Sequence, residues 1–218
     1  MARPTQVKTM SQLTFQDLGK DRDFQEIWDL QEDLVKQRRE GKIDDTILLL
    51  EHSPVYTIGR TRDQSSLRDT PHLPHPVVEI NRGGQGTYHG PGQLVGYPIL
   101  DLSEREKDLH VHLRNLEEAL IRGLAKFGIS AQRRESLTGV WVENRKIASL
   151  GVGVRSWVTL HGFALNVQAI TMPPFQFITP CGIDGVSMTC AEDETQKTIT
   201  VSGMKSVMET TLREVFES

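Results

Sequence analysis

Two residues of this chain have types and settings suited to nucleophilic chemistry. Cys181 stands in Thr179-Pro180-Cys181-Gly182-Ile183. A proline before it and a glycine after it place it in a turn, where a side chain can project into a cleft. The attacking form is the thiolate, so the role demands a nearby cation or base. The commoner fate of a single cysteine is that of a small buried hydrophobe. Lys146 opens the strand-like run Lys146-Ile147-Ala148-Ser149-Leu150-Gly151, directly after a turn. Most lysines are solvated surface charges. One that leads into a buried run suits a base or a thiolate partner, because burial disfavours the charged form. His161 interrupts the apolar run Leu160-His161-Gly162-Phe163-Ala164-Leu165-Asn166. It is either a satisfied core histidine or a supporting site residue. Cys190, in Ser187-Met188-Thr189-Cys190-Ala191, has no comparable framing and reads as a core residue.

A third stretch supplies a wall rather than a reactive group. It runs Arg82-Gly83-Gly84-Gln85-Gly86-Thr87-Tyr88-His89-Gly90-Pro91-Gly92-Gln93, five glycines within eleven residues. Apolar strand-like runs flank it at 76–80 and 94–100. Glycine leaves backbone open to close approach, and a ligand lying there would meet Arg82, Tyr88 and His89. It is not a familiar phosphate loop. No Gly-Lys-Ser/Thr follows at the required spacing, and Gly84-Gln85-Gly86 lacks a third glycine three residues on. A glycine-rich bulge kept for backbone geometry is the plainer alternative. The neighbouring Arg82, Tyr88, His89 and Gln93 favour a binding wall. The histidines at 52, 72, 75, 110 and 112 show no metal-ligand spacing, and His110 and His112 fall on different helix faces. No metal site is expected.

The elements that must position these residues follow from periodicity. Residues 23–40 carry Phe24, Ile27, Trp28, Leu30, Leu34 and Val35 at helical spacing, with Gly41 as a stop. Residues 46–50 and 55–58 read as strands joined through Ser53-Pro54. The polar, proline-bearing stretch 60–76 reads as a mobile loop able to cover a site. Residues 103–127 make the clearest helix, with Ser103 and Glu106 in a capping-box pattern and Gly128 at its end. Strands are expected at 129–133, 139–142, 146–154 and 157–167, with turns at Glu143-Asn144-Arg145 and at Ser156. A last amphipathic helix spans 201–216. This order predicts one domain over residues 1–218, an α/β (α+β) fold with a mixed, largely antiparallel sheet and flanking helices.

Bulk properties exclude several classes. The 218 residues carry a formal net charge of -4, which argues against nonspecific nucleic-acid binding. No run approaches the roughly 20 apolar residues of a membrane span. The amino terminus lacks an apolar segment for export. It is basic, and free of acidic residues before Asp17, so an organellar transit remnant is the minor alternative. Two cysteines are too few for a disulfide framework, and a reducing cytoplasm fits best.

Taken together these blocks resemble the octanoyltransferases of lipoate biosynthesis, the lipoyl(octanoyl) transferase family. The matching residues are Arg82 to Gln93, Gly139-Val140-Trp141-Val142 leading into Lys146 to Gly151, His161 to Asn166, and Pro180-Cys181-Gly182. They occur in the family's order and span roughly residues 46–190, with Gly86 and Phe163 at positions where the family varies. The resemblance implies a fold like that of the biotin and lipoate protein ligases. It also implies a reaction: an octanoyl thioester on acyl carrier protein passes to Cys181. It then passes to a lysine ε-amine on the lipoyl domains of 2-oxoacid dehydrogenases or on the glycine cleavage H protein. By the same resemblance Lys146 lowers the pKa of Cys181. The acyl site is lined by Arg82, Gly83, Gly84, Gln85, Gly86, Thr87, Tyr88 and His89, by Ser149, Leu150 and Gly151, and by Gly162, Phe163 and Ala164. No ATP, metal or other cofactor is implied. Two other readings share part of this pattern: an ATP-dependent ligase of the same fold, and a catalytically silent carrier-binding module. Because carrier proteins and lipoyl domains are acidic, Arg60, Arg62 and Arg82 are docking candidates.

Overall fold

The computed structural model describes residues 12–59, 66–67, 72–80, 85–179 and 186–217. Strand β1 (Leu13–Arg22) runs parallel to β2 (Asp45–His52), and helix α1 (Phe24–Arg39) crosses between them. Asp23 caps α1 by accepting from the Glu26 N–H at 2.9 Å, while Lys36, Arg38 and Arg39 complement the negative end of its dipole. The chain then leaves for a small sheet, β4-β3-β5, formed by β3 (Val55–Ile58), β4 (Val77–Glu79) and β5 (Thr87–His89). It returns through β6 (Gln93–Ile99), helix α2 (Leu109–Lys126), β7 (Gln132–Arg134), β8 (Leu137–Val142), β9 (Arg145–Arg155) and β10 (Val158–Asn166). The last described elements are β11 (Ser187–Met188), α3 (Ala191–Thr195) and α4 (Val201–Phe216).

The large sheet has the order β1-β2-β6-β10-β9-β8-β7, with β11 added beside β9. Its β1–β2 and β9–β11 pairs are parallel and the other pairs antiparallel, so the fold class is the mixed, largely antiparallel one expected. Both faces of its centre are covered. Ile47, Leu49, Leu94, Phe163 and Leu165 face α2 and α4, while Leu48, Leu50, Val95, Tyr97 and Leu160 face α1. Strands buried on both faces read as continuous apolar runs rather than as alternation, which is the form in which β2, β6 and β10 appear in the sequence.

Several boundaries differ from expectation. Helix α2 begins at Leu109, not at Ser103. Asp108 caps it by accepting from the backbone of His110 and Val111, and Leu102–Glu104 is a separate 3-10 turn. A capping pattern is local, and here Asp101 already occupies the Ser103 amide and hydroxyl. The expected 129–133 strand lies at Gln132–Arg134. The strands 46–50 and 55–58 belong to different sheets, and Ser53-Pro54 carries the chain from one to the other. Strand β1 had no counterpart in the sequence reading: it is an edge strand, mostly half-buried or exposed, with register shifts around Gly19. The turn at Ser156 is as expected; Ser156 and Trp157 both adopt positive φ, 50° and 71°, as a tight two-residue hairpin requires. Within the expected 60–76 loop, Ser66 and Leu67 are buried, and Leu67 bridges to Ile178.

Candidate active site

A cavity opens where the small sheet meets β9 and β10. Its non-atom space is about 490 Å³, including the part open to solvent. Gln85, Thr87 and His89 line one side, and Ser149, Leu150 and Gly151 of β9 with His161, Gly162, Phe163 and Ala164 of β10 line the other. Phe24, Ile80 and Tyr97 complete it. Ten residues named from the sequence as site residues therefore line one cavity, though they come from three separate stretches of chain.

Glycine makes this wall. Gly151 and Gly162 are paired across β9 and β10. A Cβ on Gly162 would lie 2.2 Å from the Gly96 carbonyl oxygen and 2.6 Å from Pro98 Cδ. No side chain can stand there without moving backbone. His161 precedes it with φ 59°, rare for a residue with a Cβ. Its N–H donates to the buried Gln31 side chain at 2.8 Å, and its ring packs between Trp28 and Tyr97. It is thus both a core residue and a cavity residue.

Beneath the wall runs a buried polar chain. His52 Nδ1 donates to the Arg22 carbonyl at 3.0 Å, so its Nε2 accepts from the Tyr97 hydroxyl at 2.8 Å. Burial pushes His52 down to about 4, outweighing the Arg22 carbonyl and Asp23, and keeps the ring neutral near pH 7. The Gln93 amide donates to the Tyr88 carbonyl at 3.1 Å and to Asn166 Oδ1 at 2.9 Å. Its oxygen is left to accept from His89 Nδ1 at 2.8 Å. Asn166 in turn donates to the Thr189 carbonyl at 3.1 Å, and the Thr189 N–H donates to the Lys146 carbonyl at 3.0 Å. Hydrogen bonds thus link the cavity wall to the start of β9.

Lys146 is only 1% exposed, and its Nζ lies 5.4 Å from the centre of the Trp141 ring. It does not line the cavity; it sits three residues, about 10 Å of strand, before Ser149. Cys181 lies outside the described residues, as do Arg82, Gly83, Gly84, Arg60 and Arg62. The chain on both sides of 180–185 is nonetheless anchored. Before it, the Thr179 N–H donates to the Ser66 carbonyl at 2.7 Å, while Ser66 Oγ accepts from Gly86 N–H at 3.0 Å. After it, Ser187 and Met188 pair with Arg145 and Lys146. One end is therefore tied to the glycine-rich stretch and the other to the lysine.

Two residues of the expected wall point elsewhere. Tyr88 alternates away from Thr87 and His89, and packs its ring on Tyr56 and Phe175 with centroids 5.4 and 5.8 Å apart. Gly86 is not in the lining; a Cβ there would meet Ser66 Oγ at 2.7 Å. Conversely, Phe24 and Tyr97 line the cavity but read from sequence only as members of an apolar helix stripe and an apolar strand. Cys190 is fully buried, and burial pushes its thiol up to about 12, so it stays protonated and inert. Among the described residues no cluster of His, Cys, Asp or Glu could hold a metal ion, and no helix is long and apolar enough to cross a membrane.

The family model for the lipoyl protein ligase A/B catalytic domain matches residues 23–213. An octanoyltransferase of Geobacter sulfurreducens is 50% identical over 186 residues, covering 85% of this chain and 77% of the relative. The chain belongs to the octanoyltransferases of this family. It is an acyltransferase. Among solved structures, lipoate-protein ligase A bound with ATP aligns at TM-score 0.71 with 13% identity, covering 96% of this chain and 86% of that one. Biotin protein ligase from Aquifex aeolicus aligns at TM-score 0.53 with 14% identity, covering 95% and 70%. Likeness at these identities shows the fold, which is that of the lipoate and biotin protein ligases.

Proposed function

We propose that this acyltransferase moves an octanoyl group from octanoyl-acyl carrier protein to a lysine ε-amine on lipoyl domains and on the glycine cleavage H protein, through a thioester on Cys181. The Cys181 thiolate attacks the donor's thioester carbonyl, and the phosphopantetheine thiol leaves. The neutral target amine then attacks the enzyme thioester; an amide forms, the carbon–sulfur bond breaks, Cys181 departs as thiolate and the proton lost from nitrogen passes to solvent. The first exchange trades one thioester for another and the second forms the more stable amide, so neither step needs ATP. The observation that carries this reading is an apolar, glycine-walled cavity lined from three stretches of chain, together with Thr179 tied through Ser66 to Gly86 and Met188 paired with Lys146. An eight-carbon chain has about seven methylene-type increments at roughly 0.8 kcal/mol each, ample anchorage in such a cavity. The Lys146 ammonium would stabilise the thiolate, which for an ordinary thiol of pKa about 8.5 is a minor species at neutral pH.

The test is intact-mass analysis after mixing the protein with octanoyl-carrier protein in the absence of ATP. The expected result is a gain of one octanoyl group, removed by hydroxylamine and absent in Cys181→Ala. Acylation of a lipoyl domain only when ATP is added would instead assign the adenylate route of a ligase. No acylation under either condition would leave a carrier-binding module.

A further inference from the structure

We infer that Glu117 and Gly139 are positioning residues for Lys146: the Glu117 carboxylate fixes the β8 backbone at Gly139, and the missing side chain there is the space the lysine occupies. This rests on the role proposed above for Lys146. The sequence singled out Gly139-Val140-Trp141-Val142, and the cavity does not account for it.

Gly139 has φ 136°, a conformation that L side chains rarely adopt. A Cβ on it would lie 2.5 Å from Lys146 Cε and 3.1 Å from Lys146 Nζ, and 2.9 Å from the Ala148 carbonyl oxygen. The register between β8 and β9 shifts at this point. Val140 pairs with Ala148 but the next residue, Trp141, pairs with Lys146, which leaves Ile147 as the extra residue of a bulge. Bulges re-aim neighbouring side chains, and this one brings Lys146 over the bare Gly139 backbone and beside the Trp141 ring.

Glu117 holds that backbone in place. It projects from the middle of α2, is 0% exposed, and accepts the Gly139 N–H on Oε1 at 2.9 Å. Its other oxygen receives Arg114 Nη1 at 2.6 Å and Arg133 Nε at 3.3 Å. Both guanidiniums pair with Oε2, which leaves Oε1 to serve one backbone amide.

The test combines steady-state transfer with the pH profile of Cys181 alkylation by iodoacetamide. Glu117→Ala is expected to lower kcat about tenfold, as small misplacements of catalytic groups do. The KM for octanoyl-carrier protein should stay unchanged and the alkylation midpoint should rise. Glu117→Gln retains an acceptor for the Gly139 N–H and should restore both. If the alanine variant does not fold, Glu117→Asp, which keeps the charge but shortens the reach, carries the same expectation. In a Lys146→Ala background, changing Glu117 should shift the midpoint no further. Reduced thermal stability with unchanged kcat and midpoint would overturn the inference and leave Glu117 a structural residue. An unchanged midpoint in Lys146→Ala alone would instead overturn the role proposed for the lysine, and this inference with it.

Discussion

Asp45 and Glu117 are both fully buried carboxylates that hold two arginines, yet they serve different ends. Asp45 accepts from Arg38 Nε at 2.8 Å, from Arg105 Nε and Nη2 at 3.0 and 2.9 Å, and from the Asp101 N–H at 3.0 Å. Arg38 continues to Glu104 at 2.7 Å, and Arg105 donates to the Phe216 carbonyl. Both its carboxylate oxygens hold Arg38 of α1, Arg105 or the Asp101 amide, and the two arginines carry the tie on to the 3-10 turn and the end of α4. Glu117 spends one oxygen on arginines and the other on a single glycine amide against which Lys146 lies. Charge and burial do not by themselves mark a functional group. What each remaining lone pair holds, and what lies against that, separates a staple from a support.

The strongest way to break this contrast is Asp45→Ala. Two arginines would be left facing a void in the core, and breaking such a buried cluster costs about 3–5 kcal/mol. Urea denaturation should show that loss, while the alkylation profile of Cys181 in the folded protein stays in place. A shifted profile would mean that the two carboxylates are coupled across the sheet.

A second test uses two buried histidines, one beside the Asp45 cluster and one beneath the cavity. His112 packs against Phe216 near Arg105, and His52 lies beneath the cavity. Burial, joined for His112 by repulsion from Arg105, pushes both down to about 4. The unfolded chain binds these protons near pH 6.5 and the folded chain does not. Their contribution to stability is therefore complete above about 6.5 and is lost as pH falls toward about 4. The steepest loss is about 1.4 kcal/mol per pH unit for each proton. Urea midpoints measured between pH 7.5 and 4.5 should fall accordingly. His112→Leu should flatten that slope without altering the pH dependence of acyl transfer; a changed transfer profile would place His112 in the site's electrostatics.

The smallest expected effect concerns Cys190. Cys190→Ala removes one small buried group and should cost about 1 kcal/mol or less. Native-state alkylation should still count one reactive thiol. Loss of that thiol would transfer the nucleophile's role away from Cys181.

Much of the fold was legible because it is locally encoded. Helix α4 occupies the expected residues 201–216, and α1 lies within one residue of its expected ends. The turns at Glu143 and Ser156 fall where the sequence placed them, both with positive φ. Of the candidate site, His161 stood out as a histidine in an apolar strand, while Gln85, Thr87, His89, Ser149 to Gly151 and Gly162 to Ala164 were named through the family resemblance; all ten line the cavity. Phe24 and Tyr97 were not, because an aromatic residue on a core stripe looks the same whether it fills the core or borders a cavity. Strand β1 was missed because an edge strand needs little hydrophobic signal of its own once β2 supplies its partners.

The chemistry-bearing residue types, their order, and the periodicities that build the central strands and helices are all written in the local sequence. Each of those depends on neighbours a few positions away. Tertiary structure alone decided that His89 faces the cavity while Tyr88 turns from it, that Glu117 meets Gly139 22 residues on, and that Asp45 gathers Arg105 from 60 residues on. Strand register and the packing of helices and turns on the sheet set these meetings, and a one-residue shift such as the bulge at Ile147 redirects a side chain without any change of residue type.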